Sequence, residues 1–141
     1  MALVGWLWAD LLLGLFALFL AANSAGTPIR AAEGIDPTPV ELRIAVDGAA
    51  LLAGGPAADR EQARVAGEAE RMLAQAAGSR RVAIVLAFAR HASPGEGDRI
   101  ATLATERLRE GRFSGSVVKT YHELATGDAG TLLSLEVYLF H

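Results

Sequence analysis

The chain has 141 residues and no cysteine, with 13 Lys and Arg against 16 Asp and Glu, for a formal net charge of -3 at pH 7. These values exclude a disulfide framework, a thiolate metal centre and the basic footprint of a nucleic-acid binder, and the length allows one small domain with its own core. Hydrophobic residues make up 52% of the chain and are concentrated at its start.

Ala2 to Ala22 reads ALVGWLWADLLLGLFALFLAA, an apolar run with one ionisable group, Asp10. Twenty-one helical residues rise about 31 Å at ~1.5 Å each, which matches a hydrocarbon core of ~30 Å, so residues 1–22 are expected to form a single transmembrane helix. A carboxyl within such a helix costs roughly 2.5–3.5 kcal/mol on insertion scales, and intramembrane acids accordingly face protein or water and serve ion movement. At about 100° per residue Trp6, Asp10, Gly14, Ala17 and Ala21 fall on one stripe, while Leu11, Leu12, Leu15, Phe16, Leu18 and Phe19 cover the rest. Small residues let a second helix approach closely, so this stripe is the expected packing face, toward a second copy and a multi-span subunit. No Lys or Arg precedes Arg30 and the apolar run is long, which argues against a cleaved secretory leader.

Residues 23–40 carry Pro28, Pro37 and Pro39 with Gly26 and Gly34, a composition that disfavours regular elements and predicts a flexible linker. Residues 41–141 then suffice for one α+β domain. Leu42, Ile44 and Val46 alternate with polar neighbours as a half-buried strand, and Asp47-Gly48 predicts a turn. Pro56, the apolar face Val65, Ala69, Met72, Leu73 and Ala76, and the stop at Gly78 predict a helix over 57–77. Val82 to Phe88 is apolar on both faces, as a central strand is. Asp98 is the expected cap of a second helix ending at Gly111, and strands follow over 117–122 and 132–140. The expected order is β-α-β-α-β-β, giving a mixed sheet with helices on one face.

The run WADLLLGLFALFL, Trp8 to Leu20, resembles the single-span subunits of ion-driven motors: MotB of the flagellar stator, TolR, ExbD and ZorB. That resemblance implies that Asp10 carries the translocated ion, H+ or Na+, and that two copies stand inside a pentameric ring of MotA-, ExbB- or TolQ-like subunits in the bacterial inner membrane. It also implies a periplasmic C-terminal domain and no bound cofactor. Low dielectric disfavours a carboxyl's charged form, so alternate loading and release of a cation would change how the helix sits among its neighbours. The downstream domain is similar in element order to both the ExbD/TolR periplasmic domain and the OmpA-like peptidoglycan-binding domain. Within Phe88 to Gly111, His91 stands at the His of the OmpA-like Gly-His-Thr-Asp, and Leu103 with Arg107 at its helix pair, making His91 and Arg107 candidate ligand-binding residues. Ser93 and Ile100 depart from that pattern, each replacing a polar group that would hold a diaminopimelate-type ligand.

His91, His122 and His141 lack the paired spacing of a metal site, and no nucleophile with a base and an orienting acid can be assembled. The chain is not expected to be an enzyme or to bind nucleic acid. The expectation is an ion-translocating, self-dimerising motor subunit; the alternative is a membrane-tethered periplasmic module that binds peptidoglycan or protein through a passive anchor.

Overall fold

The computed structural model describes residues 3–24, 34–124 and 131–141, with the side chains of 9–19, 34–124 and 131–141. Two compact units emerge, Met1–Glu33 and Gly34–His141. The first contains helix α1 (Leu3–Ser24), continuous over the apolar run. The expected single transmembrane helix is corrected here: among the described residues no helix is long and apolar enough to cross a membrane. Residues 25–33 of the expected linker lie outside the described residues.

The second unit is a small α+β domain. In chain order it contains β1 (Val40–Ala45), α2 (Gly48–Ala53), α3 (Gly55–Ala77), β2 (Val82–His91), α4 (Pro94–Ala104), two 3-10 turns (Glu106–Arg109 and Gly111–Phe113), β3 (Val117–Leu124) and β4 (Leu132–Leu139). The sheet order is β1-β4-β2-β3. β4 runs antiparallel to both β1 and β2, and β2 and β3 are parallel, joined through α4. This order differs from the expected β-α-β-α-β-β. An extra helix, α2, forms where a turn was expected, because the Asp47 carboxylate accepts from the backbone N–H of Ala50 at 2.9 Å and so caps a helix.

The second expected helix also shifts. It begins at Pro94, a residue whose locked φ suits a first helical turn, with Ser93 as the N-cap residue. It ends at Ala104 rather than Gly111, where the Thr105 hydroxyl donates back to the Ala101 carbonyl at 2.8 Å and the chain tightens into the 3-10 turns.

β1, β2 and β4 each turn alternate residues toward one covered face. Leu42 and Ile44 of β1, Val85, Ala87 and Ala89 of β2, and Leu133, Leu135, Val137 and Leu139 of β4 are buried together. Val65, Ala69 and Leu73 of α3, Ile100, Ala101 and Ala104 of α4, and Leu108 and Phe113 of the 3-10 turns close over them. On α3, Ala76 is exposed, and Ala58 and Gln62 extend the buried stripe instead. Gly97 lets α4 lie close to the sheet: a Cβ there would stand 3.1 Å from the His122 Cβ and 3.4 Å from the Ala89 carbonyl oxygen.

The unit begins on a staple. The Asp36 N–H donates to the Leu139 carbonyl at 2.8 Å, the His141 N–H to the Gly34 carbonyl at 2.9 Å, and Ile35 bridges Phe140. Arg80 donates to the Asp36 carboxylate at 3.0 Å and to the Phe140 carbonyl at 3.2 Å. The Thr38 N–H and Arg80 together hold the Asp36 carboxyl below its ordinary range.

Candidate functional site

Asp10 is the sole ionisable residue within α1 and is exposed, as are all the described side chains of that helix from Ala9 to Phe19. Gly14 and Ala17 lie one and two turns further along its stripe, while the side chains of Trp6 and Ala21, the outer members of the expected packing face, lie outside the described residues. Around Asp10 stand Leu11, Leu12, Leu13, Leu15, Phe16, Leu18 and Phe19, each at least 60% exposed. A helix apolar on all sides is stable only when covered, by lipid or by other helices. The site on this unit is therefore one acid on a small-residue stripe, within an apolar surface.

In the second unit the two residues singled out for ligand binding are not brought together. His91 closes β2 before α4, and Arg107 lies in the 3-10 turn after it, with α4, about 16 Å of helix, between them. His91 is used by the backbone: its Nδ1 accepts from the Ser93 N–H at 3.1 Å and stands 3.6 Å from the Glu96 carboxylate. That bond makes the imidazole part of the turn that starts α4. Ile100 is fully buried in the core, so the position that is polar in the OmpA-like pattern is here a packing position.

Arg107 instead lines a cleft of about 410 Å³ between α3 and the first 3-10 turn, with Asp59, Gln62, Glu106 and Glu110 around it. Gln62 is 93% buried and donates to the Glu106 carboxylate at 3.1 Å, which satisfies its amide nitrogen and ties α3 to the turn. The spacing 58-62-65-69-73 was the signal for Gln62, since it occupies a core position of α3. Near α4, His122 Nδ1 lies 3.1 Å from the Asp98 carboxylate. Among the described residues no group of three or more His, Asp or Glu side chains is arranged to hold a metal.

No family model, curated protein or solved structure matches the chain.

The remaining feature is the face of the sheet that carries no helix among the described residues of the domain. Cross-strand register aligns Arg43, Ser134, Phe88 and Tyr121 in one row and Glu41, Glu136, Leu86 and Lys119 in the next. Phe88 and Tyr121 stack with ring centroids 5.3 Å apart. A shallow groove of about 460 Å³ crosses this face, with Glu41, Arg43, Phe88, Glu123 and Glu136 among its lining. Sequence reasoning missed it because the row joins residues from four separate strands.

Proposed function

We propose that the chain is the proton-translocating subunit of an inner-membrane motor, with Asp10 as the group that takes up and releases the ion. In this reading α1 is covered by partner helices, those of a second copy and of a multi-span ring of the MotA, ExbB or TolQ kind, and the domain of residues 34–141 is the periplasmic anchor or force coupler. The observation that carries it is the placement of Asp10: one carboxyl on a stripe of small residues, within a helix whose large apolar side chains are uncovered in the single chain. Small residues favour close helix packing, and a carboxyl held against protein in low dielectric is suited to loading and unloading a cation.

The test is proton flux through the native complex in proteoliposomes, read with an internal pH dye under an imposed potential. Asp10→Asn is expected to reduce flux to background with the complex's mass unchanged. Flux retained by that variant in an intact complex would end the reading.

The second reading is a tethered binding module, which the groove over Phe88 and Glu136 favours. It requires Asp10→Asn to be silent and substitution at Phe88 to abolish capture of peptidoglycan fragments.

A further inference from the structure

β3 forms one margin of the sheet, paired with β2 on one side and with no strand on the other among the described residues. Such a margin offers a row of backbone donors and acceptors to any extended segment, and proteins usually blunt it with charge. On β3 the charges are Lys119 and Glu123, two residues on either side of Tyr121 and on the same face of the strand as Tyr121. Val117, Tyr121 and Leu124 are 54%, 42% and 63% exposed.

We propose that β3 pairs antiparallel with β3 of a second copy, on a two-fold axis through Tyr121, joining two four-stranded sheets into one of eight. In that register Lys119 stands opposite Glu123 of the other copy, twice by symmetry, and Tyr121 opposite Tyr121. Val118 then faces Leu124, and Thr120 faces His122. Moving the register by one step sets Lys119 against His122 or against Leu124 and leaves both charges unmatched. The same two residues that repel arbitrary strands thus admit this one, because directly opposed unlike charges stabilise a strand pair and like charges destabilise it. The Phe88–Tyr121 stack would continue across the axis as a row of four rings.

The occupant is a second copy because the charge pattern of β3 is complementary to itself when reversed. This inference takes the paired assembly proposed above as its setting, and its test reads pairing of the domains whether or not Asp10 moves an ion.

The chain has no cysteine, so a single one can be introduced into the full chain in detergent micelles. Directly opposed residues in antiparallel strands have Cα atoms about 4.5–5.5 Å apart, within the span of a disulfide. Tyr121→Cys is expected to give a cross-linked dimer on mild oxidation, whereas Arg43→Cys, exposed on β1 at the far margin, is expected to stay monomeric.

In the Tyr121→Cys background, Lys119→Glu or Glu123→Lys alone is expected to lower the cross-linked fraction about tenfold. Mixing the two charge variants restores it, since each copy then meets its complement, and this restoration also shows that both variants fold. Cross-linking at position 43 equal to that at position 121, or no recovery on mixing, would overturn the proposal.

Discussion

The Arg80 guanidinium bridges Asp36 and Phe140, donating to the carboxylate of one at 3.0 Å and the carbonyl of the other at 3.2 Å. It thereby binds the first residues of the domain to the last. Arg80→Ala and Asp36→Asn are each expected to lower the thermal midpoint, and the double variant to lower it by less than the sum, because both remove one shared interaction. Thermal unfolding of the four proteins followed by circular dichroism checks this; full additivity would show that the two residues do not act together.

Acid should weaken the domain in a defined window. Asp36 is held below its ordinary range by the Thr38 N–H and Arg80, and Glu61 by Arg64 and the Asp47 N–H. Carboxyls depressed in the folded state add stability above their unfolded values, about 3.9 for Asp and 4.3 for Glu, and lose it as pH falls through the lower folded values. The midpoint is expected to be flat from about pH 6 to 5 and to fall below about pH 4. Asp36→Asn and Glu61→Gln should each flatten that fall, as measured by unfolding at a series of pH values.

Two glycines within helices should respond to alanine with opposite signs. At Gly67 of α3 an added Cβ meets nothing within 4 Å, so Gly67→Ala is expected to stabilise by about 0.5–1 kcal/mol. At Gly97 of α4 it meets the sheet backbone and two Cβ atoms, and Gly97→Ala is expected to destabilise by about 1 kcal/mol. Urea unfolding of both variants reads the two signs directly.

His91 and Arg107 should separate by role. Removing the acceptor at His91 leaves the Ser93 N–H unpaired at the start of α4, so His91→Ala is expected to cost about 1 kcal/mol. Arg107 is exposed, and Arg107→Ala is expected to stay within about 0.5 kcal/mol of the parent. A loss at Arg107 equal to that at His91 would assign Arg107 a structural part in its cleft.

The strands were the most legible part of the domain. ELRIAVD and LLSLEVYLF alternate with period two because one sheet face is covered and the other open, and Leu42, Ile44, Leu133, Leu135, Val137 and Leu139 are buried accordingly. Val82 to Phe88 lies between β4 and β3, as its two apolar faces indicated. GAALLA in α2 was illegible: six residues are too few to show helical periodicity, and only the Asp47 cap reveals them. PGEGD at the start of α4 reads as loop by composition, yet its proline sits in the first helical turn and Gly97 lets the helix approach the sheet. At the candidate site, Asp10 was evident as the lone acid of an apolar run. The separation of His91 from Arg107 was not, because a motif aligned along the sequence says nothing of how the helix between its halves, Pro94–Ala104, holds them apart.

The staple at Gly34 also bears on mechanics. Tension applied to the domain from its N-terminal side is received by the Gly34–His141 and Asp36–Leu139 hydrogen bonds, hence by β4, an interior strand laddered to both β1 and β2. A pull from that side is thus received first by an interior strand of the sheet, through hydrogen bonds that join the two ends of the domain.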